Sequence, residues 1–383
     1  MKYFGIAVLA AIMVLAGVAA GTAGEYHSGQ SLLCYDCHTM HFSMQHGLDG
    51  SAGPVSNTPT TGGNWLGATG PNQFLLKAPA NTLCLGCHDG KSFAPDVLAA
   101  NGGIGTTNRQ AGALNNTSGA TPYETYKGHT LDSTDTPPGF DPAKIGAPAT
   151  WYNPASGLEC ISCHAQHGPA TSYRNLGAYA LGGAATAARP TYVINGTNDP
   201  TKDVWINLTP GWTAGNPPAT PDYYDQSKVS FNRNDATVSS VKTSNKLATF
   251  CAACHANFHG GPGDTNIGAS AAALDGFIRH PSSQVAIGAA AAQLYGGHSS
   301  LSRFVANTTK VKVAASDRTA YTDASPICVT CHKAHGNQNP FGLVFLNGNA
   351  SSQDEQGGLA TGQTASLGVN MRNLCGQCHG QGN

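Results

Sequence analysis

Six times along this 383-residue chain one pattern returns: two cysteines separated by two residues, with a histidine directly after the second. The six are Cys34/Cys37-His38, Cys84/Cys87-His88, Cys160/Cys163-His164, Cys251/Cys254-His255, Cys328/Cys331-His332 and Cys375/Cys378-His379, and they use all twelve cysteines. In such a segment the two thiols add to the vinyl groups of a haem, and the adjoining imidazole becomes the proximal iron ligand. Fifteen histidines are present, so a histidine after all six pairs by chance has a probability on the order of 10⁻⁹. Six disulfides would suit an exported protein but give the histidines no role. Zinc ribbons fill a tetrahedral site with two cysteine pairs and leave the histidines surplus. The pattern predicts six covalently bound haem c groups, with the twelve cysteines as thioether anchors and His38, His88, His164, His255, His332 and His379 as proximal iron ligands.

Haem also resolves an anomaly of composition. The chain has 48 glycines and 22 prolines. On its own it would bury too little apolar side-chain area to offset the entropy of ordering. Large apolar macrocycles supply the missing core, as disulfides or metals do in small domains. The fold class expected is a multihaem cytochrome c: loop-rich, low in regular secondary structure, with a few short helices and minor strands around a chain of six stacked haems.

Residues 1–24 read as a secretory signal peptide, with Met1-Lys2 as the positive start, an apolar run from Tyr3 to Ala20, and small residues from Gly21 to Gly24. Residues 25–383 read as one elongated hexahaem unit. The motif spacings of 50, 76, 91, 77 and 47 residues are too irregular for a solenoid. No later run has the roughly 18 apolar residues of a transmembrane span. The net charge of −1, with 11% charged residues and no basic patch, excludes a nucleic-acid partner and permits self-association.

Nine histidines remain for the distal side of six irons: His27, His41, His46, His129, His167, His259, His280, His298 and His335. The supply covers six bis-histidine sites. Past the signal peptide only Met40, Met44 and Met371 could compete as axial ligands. Geometry restricts the pairing. His41 follows His38 by three residues, a reach of at most about 11 Å in extended chain. It would have to pass round a macrocycle tethered at the same edge, so it should serve a different haem. The same argument applies to His167 after His164, His335 after His332 and His259 after His255. His129, His280 and His298, set beside glycine or proline, complete the seven preferred distal ligands, one more than six irons need. His27, near the mature terminus, and His46 are held in reserve.

Regular structure is expected to be sparse. The fragments Thr191 to Ile194, Asp203 to Leu208 and Lys228 to Asn232 have weak strand character and fit one small hairpin or sheet. Asn266 to Phe277 and Gln284 to Tyr295 are alanine-rich and read as helices. Ser302 to Ala314 alternates as a strand would.

The run Tyr26-His27-Ser28-Gly29 followed by CYDCHTMH (Cys34 to His41) resembles the mature N-terminus of the OmcS-type hexahaem cytochromes of metal-reducing bacteria. So do Lys127-Gly128-His129, CISCHAQHG (Cys160 to Gly168), CAACHANFH (Cys251 to His259), Arg279-His280-Pro281, CVTCHKAHG (Cys328 to Gly336) and Leu374-CGQCH, in the same order. The resemblance implies bis-histidine haems throughout and polymerisation into extracellular filaments with a continuous haem chain. It also implies that His41 ligates the iron held by His332 in the adjacent protomer. The chain departs from the family by being shorter, and by having Asp89-Gly90 where a histidine is expected after the second motif.

The reading that follows is extracellular electron transfer by hopping along six closely packed haems, with protomers joined into a conductive filament. Redox partners would be periplasmic or outer-membrane cytochromes and extracellular acceptors. A monomeric periplasmic or outer-membrane-associated carrier is the alternative, and a multihaem reductase the less favoured one. A reductase needs an open coordination position, which the histidine surplus argues against, and no proximal histidine is replaced by lysine.

Overall fold

The computed structural model describes residues 27, 34–38, 76–89, 94, 97–98, 114–116, 128–141, 157–167, 171–177, 189–194, 199, 201–206, 229–233, 244–258, 285–288, 299–306, 311–317, 320–336, 342–343, 345–346, 353–354 and 374–379. The signal segment, Asn266 to Phe277 and the methionines Met40, Met44 and Met371 lie outside them.

Helices are short. They are α1 (Cys34–Cys37), α2 (Ala80–His88), α3 (Lys246–Ala252), α4 (Leu301–Val305) and α5 (Cys328–Cys331), with 3-10 turns at Cys160–Ser162, Tyr173–Asn175 and Ala256–Phe258. Four of the five α-helices contain motif cysteines. A helix this short is marginal by itself, since nucleation is costly. Capping and tertiary contacts hold it instead. Asn245 shows how: its buried side-chain oxygen accepts from the Leu247 and Ala248 amides, closing the start of α3. Its Nδ2 donates to the Asn232 carbonyl at 2.6 Å, tying α3 to the end of a strand.

That strand belongs to the three-stranded sheet β3 (Tyr192–Ile194), β4 (Val204–Ile206) and β5 (Val229–Phe231), which forms where strand character was expected. Strand β4 is central, parallel to β3 and antiparallel to β5. The remaining strands form two two-residue pairs, β1 (Asn115–Asn116) with β2 (Thr130–Leu131), and β6 (Phe345–Leu346) with β7 (Gln353–Asp354).

Two apolar clusters carry the packing. The first gathers Val204, Ile206, Val229 and Phe231 of the sheet with Tyr173, Leu176, Leu247, Ala248, Ala314 and Ile327, and Cys328 packs against it. The second gathers Ile287, Phe304, Val311, Val313, Ala315, Ala324 and Leu374, with Cys331 and Cys378 against it. The extended segment 311–315 joins them. Successive side chains of extended chain point to opposite sides. Val311, Val313 and Ala315 therefore enter the second cluster and Ala314 the first. The fifth motif, with Cys328 against one cluster and Cys331 against the other, sits where they meet.

Two expectations are corrected. Ser302 to Ala314 is not one strand: Ser300 accepts from the Arg303 amide at 3.3 Å and starts α4 there. Only the end of that segment is extended, with Ala314 bridging Phe231 and Ser325. In Gln284 to Tyr295 the described residues 285–288 are not helical and include Gly288, whose φ of +81° is left-handed, while Gln284 and residues 289–295 lie outside the described residues. Among the described residues no helix is long and apolar enough to cross a membrane.

Candidate haem sites

Five of the motifs close a single turn. The amides of His38, His164, His255, His332 and His379 donate to the carbonyls of Cys34, Cys160, Cys251, Cys328 and Cys375, at 2.9–3.0 Å. The second motif differs, because Cys84, Cys87 and His88 form the last turn of the nine-residue α2. Cys87 and His88 therefore stay helical, and Cys87 is half-buried like Cys84. In either form the two cysteines, three residues apart, share one face. A macrocycle needs both thiols on one side to be anchored twice. All twelve cysteines, Cys87 included, are unbridged, so the disulfide alternative is not the arrangement adopted and each thiol is left for a thioether bond.

The exit from the single turns is clamped by a device that periodicity does not reveal. His38, His164 and His332 each form an antiparallel bridge with a leucine, namely Leu76, Leu176 and Leu343, and His379 bridges Ser299. In three cases the next residue donates to the second cysteine's carbonyl. These bonds are Lys77 to Cys37 at 2.9 Å, Gly177 to Cys163 at 2.8 Å and Ser300 to Cys378 at 2.7 Å. The proximal histidine thus leaves the turn in extended form with a fixed direction.

Among the described residues, four of the six proximal imidazoles face a second imidazole. The ring centres are 5.7 Å apart for His38 and His167, 6.1 Å for His88 and His27, 5.9 Å for His164 and His335, and 5.9 Å for His255 and His129. Two imidazoles on opposite sides of one metal, with bonds of about 2 Å and roughly 1.1 Å from nitrogen to ring centre, have centres about 6 Å apart. The residues present therefore fit bis-histidine haem.

The second ring nitrogen is also committed. Nδ1 of His164 donates to the Arg174 carbonyl at 2.9 Å, Nδ1 of His255 to Pro138 at 2.8 Å, and Nδ1 of His129 to Ala334 at 2.6 Å. A carbonyl only accepts, so Nδ1 carries the proton and Nε2 keeps its lone pair for a metal. Arg174 and Asn175 hold left-handed φ values of 50° and 53° to present that carbonyl. Gly139, with φ of +73°, lets the chain carry the Pro138 carbonyl past the Phe258 ring. Burial lowers the proton affinity of His27, His129 and His164 below the ordinary histidine value, which favours the neutral, metal-binding form.

The thiols form a row in chain order. Cys37 lies within electrostatic range of Cys84, Cys84 lies beside Cys160, and Cys163 lies within range of Cys254. Cys251 lies beside Cys328, and Cys331 lies within range of Cys375 and Cys378. Motifs two and three, and four and five, meet through first cysteines, whereas three and four meet through second cysteines. Burial pushes Cys163, Cys331 and Cys378 up to about 12 and Cys254 up to about 11.

Of the expected distal residues, His129, His167 and His335 face proximal histidines of other motifs. His41, His259, His280, His298 and the reserve His46 lie outside the described residues. His27, also held in reserve, is set against His88. No spacing in the sequence marks this pairing, because the reach argument sends every motif elsewhere for its partner and names none for His88.

Residues 67–93 match a family described as a doubled CXXCH motif. The chain is 27% identical over 378 residues to C-type cytochrome OmcS of Geobacter sulfurreducens, an alignment covering 83% of this chain and 79% of that protein. Two solved structures are also similar. One is the outer membrane cytochrome S filament of Geobacter sulfurreducens, 18% identical over 86% of this chain and 88% of that one, with a TM-score of 0.37. The other is the OmcS nanowire from the same organism, 17% identical over 87% and 88%, with a TM-score of 0.33. The sequence relative and the CxxCH motifs together make this chain a loop-rich multihaem c-type cytochrome similar to OmcS.

Proposed function

We propose that residues 25–383 form one exported hexahaem unit that carries electrons outside the cell, with protomers joined end to end. The observation that carries this reading is the set of four imidazole pairs 5.7–6.1 Å apart, each drawn from two different parts of the chain. When bound, haem iron with two imidazole ligands supplies reversible one-electron chemistry, and a close row of such irons passes electrons by hopping.

This chain's residues hold and space the row. Twelve cysteines anchor it, and His38/His167, His88/His27, His164/His335 and His255/His129 supply axial pairs. His332 takes His41 of the adjacent protomer, as it would in the OmcS type. His379 draws its partner from His259, His280 and His298. With haem bound, these four imidazole pairs would hold the iron from both sides and leave those four sites closed to a substrate, which favours electron transfer over reduction of a bound oxyanion.

Donors and acceptors would be other cytochromes and extracellular oxidants, met at the ends of the row.

The test is His41→Ala in haem-loaded protein. Loss of end-to-end assembly, with one high-spin iron per protomer, is expected. Filaments indistinguishable from wild type would overturn the cross-protomer ligand and favour a monomeric carrier.

A further inference from the structure

Asn81 lies in α2, one turn before Cys84, so the two share a face. Its side chain is 7% exposed and reaches two distant segments. Nδ2 donates to Oδ1 of Asp132 at 2.8 Å and to the Leu158 carbonyl at 3.1 Å. Oδ1 accepts from the Cys160 amide at 2.8 Å. An amide has two donor hydrogens and an acceptor oxygen, and all three functions are engaged here. The amide gripped by Asn81 is that of the first cysteine of the third motif, and the Cys84 thiol meets the Cys160 thiol beside it.

The partners are themselves rigid. The Asp132 amide donates to Leu158 at 2.8 Å and the Leu158 amide to Ser133 at 2.9 Å. Gly157 packs so tightly that a Cβ there would come within 2.5 Å of the Asp132 carbonyl. Asp132 has φ of 61°, a conformation that asparagine and aspartate tolerate better than most residues. Asp132 also follows His129 by three residues, so the grip reaches the strand that presents the partner of His255.

We infer that Asn81 is a positioning residue that sets the approach of the second and third haem attachment points, through its bonds to Asp132 and Cys160. The inference rests on the haem reading above. A hydrophobic contact alone leaves two helical turns free to slide, whereas three directional bonds from one amide define distance and rotation together. A residue in this place controls the electronic contact between two neighbouring haems without touching either iron.

The test uses the haem-loaded protein with three substitutions: Asn81→Asp, Asp132→Asn, and both together. Asn81→Asp removes both donors and sets two carboxylates against each other. The double variant restores the 81–132 bond with donor and acceptor exchanged and keeps the Cys160 amide bond, but loses the bond to the Leu158 carbonyl, because a carboxylate has no hydrogen to donate. The readouts are the haem count by intact mass, the Soret circular-dichroism couplet, which reports the distance and angle between neighbouring haems, and the reduction potentials. Asn81→Asp is expected to lose a measurable part of the couplet and shift the potentials, and the double variant to recover part of that loss on both, short of wild type by the missing Leu158 bond. Should Asn81→Asp fail to fold, recovery of folding and couplet in the double variant supports the inference. An unchanged couplet in Asn81→Asp carrying all six haems overturns it, as does a double variant that does not recover. Wild-type protein lacking haem at the second or third motif, read by peptide mass, overturns the haem reading itself and this inference with it.

Discussion

The imidazoles of His164 and His335 face each other with ring centres 5.9 Å apart, although they belong to the third and fifth motifs. The carbonyl of Ala334, the residue before His335, accepts from Nδ1 of His129, which faces His255 of the fourth motif. Residues 332–335 thus contribute a proximal histidine to one site, a supporting carbonyl to a second and an imidazole to a third. On the haem reading proposed above, a trailing histidine would cross-link two sites rather than serve its own.

His335→Ala should leave the iron held by His164 with one protein ligand, not the iron held by His332. About one sixth of the ferric iron is expected to turn high-spin, read by electron paramagnetic resonance. The same signal should persist unchanged in size when His335→Ala is combined with Ala334→Gly, because the Ala334 contribution is a backbone carbonyl.

His27→Ala should act on the second motif in the same way, since His27 faces His88 at 6.1 Å. A high-spin fraction of about one sixth is again expected. A spectrum that stays entirely low-spin would contradict His27 as a ligand at the second motif.

Gly139→Ala should damage the fourth site through the backbone. The new Cβ would lie 2.5 Å from the Phe258 ring at a φ of +73°, and the neighbouring Pro138 carbonyl holds Nδ1 of His255. A cost of about 1–3 kcal/mol is expected from the strained backbone. Chemical denaturation measures the loss of stability, and redox titration should show a shifted potential for one haem.

Glu159→Gln should stabilise the protein, and more so as pH rises. Burial, then the nearby Asp132 carboxylate, raise the proton affinity of Glu159 above that of an ordinary glutamate. With its folded value above its unfolded one, the folded state holds the extra proton. Stability is full below the usual glutamate value and falls as pH rises through the folded one. Glutamine lacks that proton and can still accept from Ser162. The difference between variant and wild type in thermal unfolding should vanish in acid and appear toward neutral pH.

Much of the site was legible because the chemistry is local. Five residues define a haem anchor, and the reach of three residues is enough to turn His167 and His335 away from their own motifs. The small sheet was legible for a similar reason, as Val204 to Ile206 and Val229 to Phe231 are β-branched and aromatic. What was not legible depends on distant backbone. Leu76, Leu176 and Leu343 clamp motifs across gaps of different length, so no spacing marks them. His27 was judged by its place in the chain, while its role depends on where α2 carries His88. The alternation read over Ser302 to Ala314 rests on Lys310 to Val313, whereas Leu301, Phe304 and Val305 have helical spacing and follow the Ser300 cap.

The measurement that bears most directly on the whole account is haem-resolved electron microscopy of the polymer sheared from cells. It should show six haems per protomer in motif order, His38/His167, His88/His27, His164/His335 and His255/His129 as axial pairs, and His41 of one protomer on the iron held by His332 of the next. A row interrupted between protomers, or an iron at His332 liganded from within its own chain, would contradict it.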